Sequence, residues 1–215
     1  MPWRITNQLV GNYASARQVV MGRKRVIDQE EILDAAEAVV VRDGAAHLTL
    51  DAVAEQAGIS KASVIYDYKS KQALIQAVIE RRVANDTALI EELTDSLGDV
   101  PSAVIRGRIL ASSTPPLDDA RAVAVNLCAA LAQDAELRSG IQKEQANNIA
   151  SILATSESPR GALLAYLALE GLKILEYLDL HTWPAKERGR ILREINWLVD
   201  AVPQSSMKRT EVLVP

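Results

Sequence analysis

The sequence is poor in the residues on which several kinds of chemistry depend. Among 215 residues there is one cysteine, Cys128, and there are two histidines, His47 and His181. One thiol cannot close an internal disulfide or build a cysteine-rich metal site, and two isolated imidazoles do not make a histidine cluster. No metal or other cofactor is therefore expected. Phenylalanine is absent and aromatics make up 4% of the chain, which leaves a core of alanine, leucine, isoleucine and valine. No apolar run reaches the roughly 18–20 residues that span a bilayer. The N-terminus also lacks the contiguous apolar stretch of a secretory signal. These absences lead us to expect a cytoplasmic protein with no membrane partner.

Strand signals and internal repeats are missing too. Alanine-leucine richness, with little glycine or proline inside the long segments, points to an all-α fold. An enzyme would need a convergent nucleophile, base or metal set. Cys128 with His181 is the one nucleophile–base pairing to be proposed, and nothing in their spacing favours it. We therefore expect no enzyme activity.

The net charge of −4 conceals an asymmetry. Residues 1–27 carry Arg4, Arg17, Arg23, Lys24 and Arg25 without an acid, leaving 19 basic against 28 acidic residues in the remainder. A basic extension on an acidic body is one form that nucleic-acid binders take, and equally a solvated tail.

The most informative stretch runs from Thr49 to Lys71, TLDAVAEQAGISKASVIYDYKSK. It reads as two short helices broken at Gly58, which can take the left-handed backbone that re-aims a chain. Ile59 plugs the turn and Ser60 caps the next helix. Val53, Ala57, Ile59 and Val64 face inward, leaving Lys61, Ser63, Tyr66 and Lys71 outside. That is the helix-turn-helix pattern, whose second helix lies in a DNA major groove. Lys61, Ser63 and Tyr66, with Ala62 between them, are candidate contacts to bases or phosphates. Thr49, Ser60 and Lys71 stand at helix starts, where phosphate donors are useful. Arg23, Lys24 and Arg25 form a candidate minor-groove arm.

Around this unit the expected helices run from Asp28 to Gly44, Lys71 to Leu97, Ser102 to Ser112, Asp118 to Ala132, Glu136 to Thr155, Ser158 to Leu180 and Ala185 to Val202. The helix after Pro159 is apolar on more than one face, with Leu163, Leu164, Leu167, Leu172, Ile174, Leu175 and Leu178. A helix of this kind needs cover on both sides, and a second subunit is the natural source. Cys128 reads as a small core filler.

The segments ILDAAEAVVVRDG, LTLDAVAEQAGISKAS and Tyr68-Lys-Ser-Lys71, within about residues 27–75, resemble the three-helix DNA-binding signature of the TetR family of bacterial transcriptional regulators. Ile65 stands where that family usually has tyrosine, Asp67 replaces a frequent histidine, and Tyr68 replaces a commoner phenylalanine. The resemblance implies an N-terminal helix-turn-helix domain and a larger helical ligand-binding and dimerisation domain. We expect a basic extension over 1–24, the DNA-binding domain over 25–72, the regulatory domain over 73–203 and a tail over 204–215. It further implies a homodimer joined through the last two helices, with Leu167, Ile174, Ile191, Ile195, Leu198 and Val202 at the interface. A small-molecule pocket is implied as well, for which Arg121, Asn126, Cys128, Tyr166, Glu170, Lys173 and Tyr177 are the polar candidates. Glu170 and Lys173 can equally be a surface pair. The expected function is a double-stranded operator bound by a homodimeric repressor and released by a small-molecule effector. An activator, or a ligand-independent DNA-binding module, fits the same residues.

Overall fold

Polar side chains just ahead of apolar runs set where most of the helices start. Each accepts a hydrogen bond from an amide that the first turn leaves unpaired. The computed structural model describes residues 28–203. Helix α1 (Gln29–Asp43) is capped by Asp28, whose carboxylate accepts from Glu30 N at 3.1 Å. Thr49, Ser60 and Ser70 cap α2 (Leu50–Ala57), α3 (Lys61–Asp67) and α4 (Lys71–Ser96), each accepting at 3.1 Å from the amide three residues on. Then come α5 (Ala103–Ala111), α6 (Asp118–Gln133) and α7 (Ala135–Thr155), the last capped by Asp134. Helices α8 (Pro159–Tyr177) and α9 (Ala185–Leu198) are the last among the described residues. No strand occurs among the described residues, and the fold is all-α.

Three boundaries differ from the sequence expectation. A short 3₁₀ turn, Ala45–His47, joins α1 to α2. Helix α8 stops at Tyr177 rather than Leu180, because Asp179 takes a left-handed φ of 51° and Leu180 N turns back to Leu175 O at 2.9 Å. The last helix ends at Leu198 rather than Val202. Ser158 precedes α8 without capping it; its hydroxyl donates to Ala201 O at 2.6 Å instead.

The buried side chains form two groups. In the first, Val39, Val53, Val64, Leu74 and Val78 of α1–α4 meet Val123 of α6 and Leu137 of α7. In the second, Ile105 of α5 and Ile152 of α7 meet Tyr166 and Leu169 of α8 and Val199 just after α9. Helix α4 leaves the first group at Ile79 and continues along α5.

Ionic contacts fasten both groups. Arg81 of α4 donates to Asp34 Oδ1 at 2.7 Å, Glu37 Oε1 at 2.7 Å and Glu30 Oε2 at 3.1 Å, all on α1. Burial alone would lower the Arg81 pKa, but hydrogen bonds to Glu37, Asp34 and Glu30 outweigh it and hold the guanidinium charged. In the other group Arg188 of α9 pairs with Glu176 of α8 at 2.7 and 3.1 Å. The same guanidinium donates at 2.7 Å to the carbonyls of Ser112 and Ser113 after α5.

The start of α8 lies against the end of α9 only because residue 161 is glycine. A Cβ there would sit 2.2 Å from Ala201 O and 2.6 Å from Leu198 O. Gly161→Ala should cost about 1–3 kcal/mol through this overpacking. The expected readout is a lower urea midpoint with an unchanged helical spectrum; an unshifted midpoint would mean that the junction relaxes without cost.

Candidate nucleic-acid interface and clefts

The helix-turn-helix is assembled by one turn and two buried plugs. Gly58 has φ 66° and ψ 34°, the left-handed conformation that ends α2, and Ile59 N returns to Ala54 O at 3.0 Å. Ile59 packs against the first core, and Val64 is wholly buried beneath α3. The two apolar anchors hold α3 in place and leave its other face outward.

Of the expected DNA contacts, α3 itself carries Lys61, Ala62, Ser63 and Tyr66. Tyr66 is 82% exposed and Ile65 40%, whereas Tyr68 packs against the core and burial pushes its phenol pKa up. Of the aromatic side chains at this end, Tyr66 is therefore the one that projects into solvent. Lys61 reaches back to Asp51 of α2 at 2.8 Å, and both partners are exposed. An exposed pair of this kind contributes about 0–1 kcal/mol and yields readily to a phosphate. Ser60 Oγ accepts from Ser63 N and shares a 2.8 Å hydrogen bond with Ser63 Oγ, while Ala62 is exposed beside them. Thr49 Oγ1 accepts from Ala52 N, which leaves its own hydroxyl hydrogen as a donor. Lys71 Nζ donates to Ala46 O at 3.3 Å, so that ammonium is tied to the 3₁₀ turn. Asp67, which replaces the frequent histidine, accepts from Gln29 Nε2 at 3.2 Å. Arg23, Lys24 and Arg25 lie outside the described residues. Sequence reasoning passed over the exposed Lys69, although it sits inside the Tyr68–Lys71 motif at the turn into α4.

The expected pocket residues do not converge. Glu170, Lys173 and Tyr177 line one cleft with Arg108, Glu176 and Arg188, and its volume is about 120 Å³. Glu170 and Lys173 pair there at 3.0 Å. Tyr166 lies beneath this region, its hydroxyl bonded to Gln145 and its ring 5.9 Å from the Arg108 guanidinium; burial pushes its pKa up to about 12. Arg121 lines a neighbouring cleft with His181 and Trp183. Asn126 donates to Ala122 O at 2.7 Å and faces a third cleft, towards α4. Cys128 is exposed rather than a core filler: it lies on the side of α6 away from Val123, which enters the first core. A fourth cleft, between α4 and α7, measures about 520 Å³, and none of the expected pocket residues lines it.

The expected interface residues divide in a similar way. Leu167 and Ile174 of α8 are 57% and 54% exposed, and Val202 is exposed beyond α9. Ile191 and Leu198 are partly buried against the second core. Ile195 is 3% exposed within the chain's own second core, in line with Ile191 of α9 and Val199 just beyond it. Trp197, 68% exposed on the outer side of α9, was not foreseen.

Comparisons with known proteins agree with this geometry. Residues 32–78 match the family description "Bacterial regulatory proteins, tetR family", and residues 102–200 match "Tetracyclin repressor-like, C-terminal domain". These two matches define a helix-turn-helix regulatory protein rather than an enzyme. The chain belongs to the TetR family of bacterial regulatory proteins. It is 31% identical over 68 residues to the uncharacterized HTH-type transcriptional regulator YvkB of Bacillus subtilis (strain 168), a stretch covering 32% of this chain and 36% of that relative. A TetR-family member from Streptomyces coelicolor A3 superposes with a TM-score of 0.61 at 20% identity, over 82% of this chain and 98% of that one. The multidrug binding protein EbrR complexed with malachite green superposes with a TM-score of 0.62 at 20% identity, over 85% and 100%. At such identities the likeness of the structures concerns the fold.

Two substitutions separate framework from surface. Ser60→Ala removes the α3 cap and should cost about 1 kcal/mol, whereas Tyr66→Ala should stay within about 0.5 kcal/mol of the parent. Urea denaturation of both variants checks this, and equal losses would mean that Tyr66 packs more than its exposure implies.

Proposed function

We propose that this protein is an operator-binding transcriptional repressor that acts as a homodimer and leaves its DNA when a small molecule binds the helical body. The observation that carries the reading is the outer face of α3. Its cap, its turn and its buried Val64 are built as a rigid framework, while Lys61 and Tyr66 remain in solvent with no core to serve. A protein–DNA interface needs that combination of fixed backbone and free polar side chains. Lys61 then meets a base edge or phosphate, Tyr66 a phosphate, and Thr49 and Ser60 donate at helix starts.

The dimer reading rests on apolar surface. Leu167 and Ile174 lie on one face of α8, seven residues and so two helical turns apart, with Gly171 and Leu175 between and beside them. Side chains of this size gain about 1.5–3 kcal/mol each when fully covered. A two-fold pairing of this stripe, flanked by Trp197, would present two α3 helices to one palindromic operator. The effector reading is supported by the regulatory-domain match and by EbrR, which is described as complexed with malachite green.

Operator selection from random DNA, followed by titration of the selected site, tests this reading. Lys61→Ala and Tyr66→Ala should each weaken specific binding about tenfold, and binding should weaken steeply with added salt. Absence of any sequence preference would sink the proposal. Ile174→Asp should convert a dimer into a monomer in sedimentation velocity and lower operator affinity with it. A variant that remains dimeric would move the interface elsewhere.

A further inference from the structure

The cleft between α4 and α7 has a composition that sets it apart from the others. Its volume of about 520 Å³ falls within the roughly 300–1,000 Å³ of small-molecule sites. The floor is apolar, with Ile79, Val83 and Ala88 from α4 facing Leu137 and Ile141 from α7. Among the described residues the charged lining is of one sign: Glu80 and Glu91 come from α4, Glu136 and Glu144 from α7, and no described lysine, arginine or histidine lines the space. Glu80 accepts from Gln76 Nε2 at 2.8 Å. Glu91, Glu136 and Glu144 have no ion-pair partner among the described residues. Helices α4 and α7 do not pack closely here, so the space runs between them.

These features select the charge and the shape of an occupant. Carboxylates facing one another across an apolar floor repel, and that repulsion rises as water is displaced. An anion would add to it. A bare metal ion would leave the apolar floor uncovered, and no group of His, Cys, Asp or Glu among the described residues is close enough to hold one. A cation carrying an aromatic or alkyl body satisfies both parts: its charge sits at the glutamate rim and its body covers the floor. The 120 Å³ cleft beside Tyr177 offers no such match, since Arg108, Lys173 and Arg188 line it alongside Asp86, Glu170 and Glu176.

We propose that the α4–α7 cleft binds an amphiphilic organic cation, one per protomer, and that this is the effector of the repressor. The regulatory half of the proposal rests on the operator-binding reading given above. Ile79 and Leu137 on the cleft floor belong to the same buried core as Val64 of α3. A body wedged between α4 and α7 therefore bears directly on the packing behind the recognition helix.

Isothermal titration calorimetry on the full chain tests binding without DNA, with tetraphenylphosphonium as the probe and tetraphenylborate as its size-matched anion. Saturable binding of the cation and none of the anion is expected. Glu136→Gln with Glu144→Gln should weaken binding about tenfold, as expected when two of the four negative charges are removed from the rim. Gly140→Leu is the second variant: a Cβ at this helical position meets nothing within 4 Å, so leucine extends into open space and also removes a helix-weakening glycine. It should abolish cation binding while thermal stability stays at or above that of the parent. Equal binding of both ions, no binding of the cation, or undiminished binding in both variants would overturn the site. Tetraphenylphosphonium should release the selected operator from the parent and leave the Gly140→Leu complex intact. Operator that stays bound by the cation-loaded parent would overturn the effector role, whereas failure to bind any operator would show in the DNA titration without the ion.

Discussion

Arg81 joins the part of the chain that reads as DNA-binding to everything that follows it. Its guanidinium spans three carboxylates on α1 from a position about two-fifths of the way along α4. The three contacts are not equal. Glu30 and Asp34 are 65% and 75% exposed, so each contributes at most about 1 kcal/mol. Glu37 is 20% exposed, is shared by Arg81 and Arg82, and is the one whose loss would leave buried charge uncompensated. This half-buried node, together with the apolar contacts of Leu74, Ile75, Val78 and Ile79, makes α1 and the first half of α4 one body.

The opposite end of the molecule is fastened by a similar device with a different purpose. Arg188 and Glu176 are both almost wholly buried, and the guanidinium also satisfies two carbonyls left open where α5 ends. A buried pair of this type is weak evidence for stability, since desolvation offsets much of its attraction. What it supplies is register: α8, α9 and the turn after α5 meet at one guanidinium that no other arrangement of those segments would pair. The apolar stripe of α8 is thereby held at a fixed angle to α5, and α5 in turn lies along the second half of α4.

Helix positions were legible in the sequence because caps are local chemistry. Asp28, Thr49, Ser60 and Ser70 each act on an amide two or three residues away, and the helix-turn-helix is a chain of such short-range signals. Helix ends were less so: α8 stops because Asp179 adopts a left-handed backbone, which an aspartate rarely announces. Side-chain direction on an apolar helix was the hardest to read. Ile191 and Ile195 share a stripe with Leu198 by spacing alone, and only the position of α8 sends Ile195 inward while Trp197 stays out. The clefts were illegible for the same reason. Glu80, Glu91, Glu136 and Glu144 are ordinary surface glutamates on two helices more than forty residues apart in part, and only the gap between those helices makes them one rim.

The geometry of α4 explains why a small change in the body can matter at the DNA. Twenty-six residues span about 39 Å, so a tilt of about 5° displaces one end by about 3 Å relative to the other over that length. Because Arg81 and the first core bind α1 and α3 to the near end, the recognition helix moves with α4 rather than absorbing the tilt. In the proposed dimer the displacement acts on both subunits, against half-sites about 34 Å apart on a rigid duplex. A mismatch of several ångströms is longer than a hydrogen bond, and direct contacts to base edges and phosphates do not survive it. The proposed effector need not touch the recognition helix at all; it has only to prefer one separation of α4 from its neighbours over another, and the size of that preference sets how far binding can shift the equilibrium.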